Sequence, residues 1–395
     1  MRGGWFPLAA ILLLALNLRP VATSVGPVLG RIATDLAMPG AVAGALTSLP
    51  ALCFSIFGAA APSLARRFGP HQVIAVALTL LTVGQLGRAW VGSAWPFLLL
   101  SIMALAGMAL ANVLLPSLVR WHFPHRVGLA TSLYSLSMTI GVTAASVGTV
   151  PLAYALGGWR AAFTAATVIA VAALVCWLPL LRGQPRPQTT TASRTHLRVL
   201  AIARTPMGWA MAVLFGIQSA QAYTIFGWLP TIYLDAGMTD TNAGLMLGIA
   251  TGVGIVPSFL IPAWTDRNPT PTPLFLVIMG FLVAGYLGLM VAPMTLPWLW
   301  AVFLALGTAS FPLILALFGL RARTAAGTAA LSGFTQSLGY LIAACGPFAV
   351  GLLHARTADW HLVLGIQAAL SIPMTIAGVT VTRRVWYIED EVARG

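Results

Sequence analysis

The stretch Leu16-Asn17-Leu18-Arg19-Pro20-Val21-Ala22-Thr23-Ser24 lies in the middle of the first long apolar segment of the chain, which we place at residues 6–32. At about 1.5 Å per helical residue, this segment is long enough to cross a hydrocarbon layer of about 30 Å. Arg19 would then lie near the membrane midplane, where a charge costs about 2.5–3.5 kcal/mol unless it faces a polar interior. Pro20 lacks a backbone N–H and predicts a kink at the same point.

Arg19 has two possible roles at this position. Its guanidinium, which does not lose its proton, could pair with backbone carbonyls or extend to the membrane surface. Alternatively, it is a fixed positive charge for an anionic or electron-rich ligand. None of the eight acidic residues falls inside a predicted span, and extension from mid-span to the surface is too far. The sequence therefore favours the ligand-binding role.

The composition identifies the class of protein. Of 395 residues, 59% are hydrophobic and only 7% are charged, which is typical of a polytopic membrane protein and of no soluble globular domain. The three cysteines, Cys53, Cys176 and Cys345, fall inside apolar segments without metal-ligand spacing, so we interpret them as small buried hydrophobic residues.

Twelve apolar segments predict an all-α membrane protein with two bundles of six transmembrane helices. We expect the spans at 6–32, 41–64, 72–92, 95–119, 128–154, 160–181, 206–234, 241–264, 273–293, 297–319, 327–353 and 361–382. The polar stretch 183–205, rich in Pro, Thr and Arg, predicts a cytoplasmic linker. The domains are therefore an N-terminal bundle at 1–182 and a C-terminal bundle with a short tail at 206–395.

The arginines predict the orientation in the membrane. Sixteen of the 21 fall on the side of both termini, and four fall on the opposite side, at Arg31, Arg88, Arg160 and Arg356. The positive-inside rule therefore predicts that both termini of this multi-pass cell-membrane protein are cytoplasmic. The net charge of +13 is explained by this asymmetry, so we expect no nucleic-acid partner. We expect lipid and a small solute as partners, and a monomer.

The two halves repeat with an offset of about 200 residues. Asp35-Leu36-Ala37-Met38 aligns with Asp235-Ala236-Gly237-Met238, and Pro62-Ser63-Leu64-Ala65-Arg66-Arg67 aligns with Pro262-Ala263-Trp264-Thr265-Asp266-Arg267. Trp159-Arg160 and Trp360-His361 mark the same connection, one residue out of step. Parallel six-helix repeats are a transporter architecture, in which the solute binds between the halves near the midplane.

Several motifs resemble a known family. The loops at Arg66-Arg67-Phe68-Gly69-Pro70 and Asp266-Arg267-Asn268-Pro269 partly resemble the major facilitator signature Gly-x-x-x-Asp-Arg-x-Gly-Arg. Such a loop can act as a conformational latch, here with Arg67, Asp266 and Arg267, although a topogenic basic loop is the alternative for the first copy.

More specific motifs are similar to the cyanate transporter and 2-nitroimidazole exporter branch of the major facilitator superfamily. They are Asn17-Leu18-Arg19-Pro20, Asn112-Val113-Leu114-Leu115-Pro116, Gln218-Ser219-Ala220-Gln221, Trp228-Leu229-Pro230 and Gln336-Ser337-Leu338-Gly339-Tyr340. The resemblance implies the major facilitator fold, alternating access and a small electron-rich or anionic solute. It leaves open whether the solute is an inorganic anion or a neutral nitroheterocycle.

The polar residues of the spans form the candidate binding site, with Arg19 as the main electrostatic contact. Its other members are Asn17, Thr23, Asn112, Tyr134, Gln218, Gln221, Tyr223, Gln336 and Tyr340. For any one of them, a hydrogen bond between helices is an equal alternative. We expect no catalytic residues, cofactor or metal. The rival functions are a broad drug exporter and a membrane solute sensor that does not transport.

Overall fold

The structure is a computed structural model that describes residues 4–123, 126–183, 199–265 and 267–393. The described residues form helices and short connections, with twelve long helices that we number in chain order. They are α1 (Trp5–Asp35), α2 (Gly40–Phe68), α3 (Pro70–Trp90), α4 (Ala94–His122), α5 (Val127–Ala155), α6 (Trp159–Trp177), α7 (Pro206–Asp235), α8 (Asp240–Pro262), α9 (Thr272–Val291), α10 (Pro297–Leu320), α11 (Ala325–Thr357) and α12 (Trp360–Thr382).

The predicted helical membrane fold is confirmed. Eleven helices in the described ranges are long and apolar enough to span a membrane. The twelfth, α7, has 30 residues and ample length, but Gln218 and Gln221 lower its mean hydropathy. Of the predicted linker, residues 184–198 lie outside the described residues, and a single helical turn at Val199–Ile202 follows them.

The two halves have matching packing. In the first half, α1 packs against α5 and α6, and α3 packs against α4 and α6. In the second half, α7 packs against α11 and α12, and α9 packs against α10 and α12. The repeated residues also occupy matching places: Trp159 Nε1 donates to Asp35 at 3.1 Å, and Trp360 Nε1 donates to Asp235 at 2.8 Å. The repeat deduced from the sequence is thus present in the fold.

We name the two ends of the molecule after their charges. The aspartate end carries Asp35, Asp235 and Asp240 at the termini of α1, α7 and α8. The arginine end carries Arg66 and Arg120, in the last turns of α2 and α4.

A short acidic helix, Ile388–Val392, follows α12 and covers the starts of two long helices at the arginine end. Glu389 accepts hydrogen bonds from Thr324, at 3.0 Å from its backbone N and 2.8 Å from its hydroxyl, just before α11. Glu391 accepts from the backbone N of Met207, at the start of α7, at 3.1 Å. Carboxylates at helix N-termini satisfy free N–H groups and interact favourably with the helix dipole. We therefore assign a stabilising role to the tail helix.

We expect Glu389→Gln to lower the free energy of unfolding by about 1 kcal/mol at pH 7. Burial raises the pKa of this carboxyl, but hydrogen bonds from Arg323 and Thr324 lower it more, so its pKa lies below the usual range. Its contribution is therefore complete above the unfolded-state pKa of about 4.3 and is lost as the pH falls through the lower folded-state value. Thermal unfolding at pH 7 and at pH 4 measures this difference.

The matched control for this prediction is Asp390→Asn in the same short helix. Asp390 pairs with Arg323 at 2.5 Å, but both side chains are solvent-exposed, and such pairs contribute about 0–1 kcal/mol. A loss in Asp390→Asn as large as in Glu389→Gln would contradict the capping role of Glu389.

Candidate functional site

The break in α1 determines how Arg19 is placed. The first helical part of α1 ends at Leu18, and a new turn begins at Pro20, with Arg19 between them at φ −98° and ψ −34°. The carbonyl of Arg19 accepts hydrogen bonds from Ala22 and Thr23, at 3.1 and 3.2 Å, and closes this turn. The kink predicted from Pro20 is confirmed. It falls halfway along a 31-residue span, so Arg19 lies at mid-depth.

The guanidinium of Arg19 lies within electrostatic range of two tyrosines of the second half. It is half-buried, and it interacts electrostatically with the phenol groups of Tyr223 on α7 and Tyr340 on α11. Among the residues that the structure describes, no carboxylate pairs with it and no side chain accepts a hydrogen bond from it. Its charge is therefore not compensated by any carboxylate of the described residues.

Aromatic rings form one wall beside this charge. The ring of Tyr340 stacks on Phe54 with centroids 5.0 Å apart and an interplanar angle of 19°. Phe215 meets the same tyrosine edge-on at 4.9 Å. Phe54 begins a π-helical turn in α2, Phe54–Gly58. Sequence reasoning missed Phe54 and Phe215, because neither stands in a polar motif.

Two amides of the predicted site join helices within one half. Asn17 Nδ2 donates to the carbonyl of Leu13 at 2.7 Å and to that of Ile169, on α6, at 3.2 Å. In the second half, Gln221 Nε2 donates to the carbonyl of Gln367, on α12, at 2.9 Å. Both amides are buried, so their N–H groups fix a central helix to its neighbour.

The remaining predicted site residues differ in how much of their hydrogen-bonding capacity is used. The hydroxyl of Thr23 donates to the carbonyl of Arg19 at 3.2 Å and is fully buried. Gln218 accepts from Ser219 at 3.2 Å, and Gln336 donates to Ser332 at 2.6 Å. Asn112, Tyr134 and Gln336 are half-buried.

The latch predicted for the two basic loops is only partly described. Asp266 lies outside the described residues. Arg67 is exposed, with its guanidinium 5.1 Å from the ring of Phe68. Arg267 is exposed too. The latch stays a prediction.

The aspartate end is closed by contacts between the two halves. Arg31 on α1 forms an ion pair with Asp240 on α8. Trp228 Nε1 on α7 donates to the hydroxyl of Thr47 on α2, in the other half, at 3.2 Å. It also donates to the carbonyl of Pro347 on α11, in its own half, at 3.2 Å. Because these contacts tie α1 and α2 to α7 and α8, they separate the central site from the aspartate end.

Glycines allow the backbones to meet at this closed end. A Cβ added at Gly26 would lie 2.2 Å from the carbonyl oxygen of Phe226, and one at Gly351 would lie 2.6 Å from the Cα of Gly44. The first contact joins α1 to α7, and the second joins α11 to α2. Closure at these points therefore depends on residues without a side chain.

Arg88 is the buried arginine of the aspartate end. The sequence places it inside the predicted span 72–92 and counts it on the side opposite the termini, and in the structure it lies in the last turn of α3 and is 1% exposed. Its Nη2 donates to the carbonyl of Val21 at 3.1 Å, and its guanidinium lies 4.7 Å from the ring of Phe163. An aromatic face and a carbonyl thus hold it inside the bundle. Because Arg88 lies at the aspartate end of α3, the arginine asymmetry behind the predicted orientation is unchanged.

Comparisons with known proteins agree with this geometry. The family described as "Major Facilitator Superfamily" matches residues 11–347. The chain is 35% identical to the 2-nitroimidazole transporter of Escherichia coli (strain K12) over 95% of each chain. It is 26% identical to the cyanate transport protein CynX of the same organism, over 93% of this chain and 95% of that one. The resemblance to this branch is therefore confirmed.

A solved structure supports the same fold. A variant of the nucleoside transporter NupG matches 95% of this chain and 99% of its own, with a TM-score of 0.79 at 14% sequence identity.

Proposed function

The chain belongs to the major facilitator superfamily and is a multi-pass membrane transporter, and from this premise we propose that it moves a small anionic or planar polar solute by alternating access. A cyanate-like anion and a nitroimidazole-like heterocycle are the two solute classes named by its relatives. Both classes are small and carry oxygen or nitrogen atoms that accept hydrogen bonds. The proposed anchor for either one is Arg19.

The observation that carries this proposal is the electrostatic interaction of Arg19, at the break of α1, with Tyr223 on α7 and Tyr340 on α11. A guanidinium presents several N–H donors in a planar fork, which suits an anion or a nitro group. The phenol hydroxyls can donate to the same solute from the other half. Since these groups come from α1, α7 and α11, a solute bound among them would couple the two halves.

The aromatic wall supports a planar solute. Tyr340 and Phe54 are stacked, so a flat ligand that enters beside them meets ring faces and edges. Gln336 lies one turn from Tyr340 on the same helix and is half-buried. We infer that aromatic packing supplies shape selection and that Arg19 supplies the electrostatic attraction.

The charge distribution disfavours a multidrug exporter for cations. Within the described ranges, acidic residues stand at helix ends, at Asp35, Asp235 and Asp240 among others, and Arg19 is the charge near mid-depth. A lipophilic cation would meet a repulsive positive charge there instead of a carboxylate.

We also propose an orientation with both termini in the cytoplasm of a bacterial inner membrane, where the chain acts as a monomer surrounded by lipid. Arginine asymmetry between the ends supports this orientation. In it, the closed aspartate end faces outward.

A ligand screen by thermal unfolding of the purified chain tests the proposed function. We expect sodium cyanate or 2-nitroimidazole to raise the unfolding temperature in a saturable way, because a ligand that binds the folded state stabilises it. Sodium gluconate controls for ionic strength, and tetraphenylphosphonium represents lipophilic cations. Stabilisation by the cation, without any by cyanate or the nitroheterocycle, would contradict the proposal and favour the drug exporter.

A further inference from the structure

A second polar space lies between the Arg19 site and the closed aspartate end. It is a cavity of about 20 Å³ between α1, α2, α3, α4 and α7. Its lining includes Val21, Thr47, Pro50, Arg88, Ser101 and Tyr223. About 10–15 Å³ is enough for one water molecule, so the space fits a water molecule or a monatomic ion. Tyr223 belongs to this cavity and also to the Arg19 site.

Arg88 brings a full positive charge to this cavity and has few partners. The carbonyl of Val21 accepts from its Nη2 at 3.1 Å. Its Nε is buried and has no hydrogen-bond partner among the residues that the structure describes. A buried guanidinium with unused donors is unfavourable unless an acceptor or a negative charge lies beside it.

Arg321 provides a comparison within the same molecule. It is also fully buried, but it donates to three carbonyls, those of Val381 at 2.7 Å, Pro269 at 2.9 Å and Leu320 at 3.3 Å. Backbone carbonyls can thus accommodate a buried arginine completely when its role is structural. Arg88 has one such carbonyl and lines a cavity, which sets it apart from Arg321.

Ser101 adds a second donor to the same space. Its side chain is fully buried, and its hydroxyl has no hydrogen-bond partner in the described part of the chain. The hydroxyl of Thr47 already donates to the carbonyl of Gly44 at 2.9 Å and accepts from Trp228. The cavity therefore combines a positive charge and free donors.

We propose that Arg88 and Ser101 form a second anion subsite, which takes a small monovalent anion. A cation would be repelled by Arg88, and a neutral solute would leave its charge uncompensated. The bound anion is an ambient halide, because the space fits a monatomic ion. Because Tyr223 lies at both sites, an anion at Arg88 lies on the path between Arg19 and the aspartate end. This placement rests on the proposed transport function, whereas anion binding at Arg88 does not.

Thermal unfolding of the full-length purified chain tests the subsite. Sodium bromide and sodium cyanate are titrated against sodium gluconate at constant ionic strength. We expect bromide to raise the unfolding temperature of the wild type saturably, because it binds the folded state. Ser101→Ala should raise the half-saturating bromide concentration at least threefold, and Arg88→Met should abolish the response. Ser146→Ala, a buried serine in α5 away from the cavity, should respond like the wild type.

The result identifies the source of the anion and separates this proposal from the proposed function. If cyanate still raises the unfolding temperature of Arg19→Gln, and if adding Ser101→Ala weakens that response, the transported solute occupies the subsite. A response to bromide alone identifies an ambient halide as the occupant. If bromide, cyanate and gluconate have equal effects on the wild type, or if Ser101→Ala responds like the wild type, the subsite is wrong. If the wild type responds to bromide but binds neither cyanate nor 2-nitroimidazole, the subsite is supported and the proposed function is wrong.

Discussion

Replacing Arg19 with glutamine is expected to weaken solute binding by at least about 100-fold. A hydrogen bond to a charged group contributes roughly 1.5–3 kcal/mol, and a planar solute on the guanidinium fork would lose two of them. Arg19→Lys should also weaken binding strongly, because a lysine keeps the charge but loses the fork. Folding should survive, since Arg19 makes no side-chain hydrogen bond within the described residues. Isothermal titration with sodium cyanate and with 2-nitroimidazole measures the change.

Arg356→Gln is the matched control for this substitution. Arg356 is exposed in the last turn of α11, at the aspartate end and away from the central site. It should bind both solutes like the wild type, with an unchanged unfolding temperature. Wild-type affinity in both Arg19 variants, measured on folded protein, would remove Arg19 from the binding site.

The break at Arg19 could be predicted because it depends on local chemistry. Pro20 removes one backbone donor wherever it stands in a helix, and an arginine among apolar residues identifies the polar face of its span. The repeat was visible for a similar reason. Asp35 and Asp235 occupy the same place in their halves, and each accepts a hydrogen bond from its own tryptophan.

The burial of Arg88 could not be predicted, because it depends on contacts between distant segments. In sequence, Arg88 stands near the end of the predicted span 72–92, where an arginine side chain can extend to the membrane surface. In the fold, Arg88 contacts the ring of Phe163 and the carbonyl of Val21, and no residue near it in the sequence predicts either contact. The same limit applies to Glu389, whose partner Thr324 lies 65 residues earlier.

Residue type alone also could not separate ligand contacts from helix contacts. Asn17 and Gln221 are as polar as Gln336, but their amides reach backbone carbonyls of α6 and α12. Which way an amide points depends on the rotation of its helix in the bundle, and the helix rotation is set by packing on all sides. The predicted set therefore contains both kinds of residue.

The substitution Gly351→Ala is the second change with a large expected effect, because it should hinder closure of the aspartate end. The added Cβ would lie 2.6 Å from the Cα of Gly44 and 2.8 Å from the ring of Trp228. Backbone atoms at Gly44 cannot move aside without separating α2 from α11, and overpacking of this kind costs about 1–3 kcal/mol. Since 1.4 kcal/mol is a factor of ten, we expect the closed state to lose population about tenfold or more. The open aspartate end should then be favoured.

A reporter cysteine at Val25, in a background without the three native cysteines, measures this shift. Val25 is 5% exposed and lies below the closed end, so a membrane-impermeant maleimide should reach it slowly in the parent protein. Gly351→Ala should raise the labelling rate about tenfold and impair solute exchange, because alternating access needs both states. Gly280→Ala is the matched control, since a Cβ there meets nothing within 4 Å. Equal labelling in all three proteins would show that the contact between Gly351 and Gly44 is not the barrier.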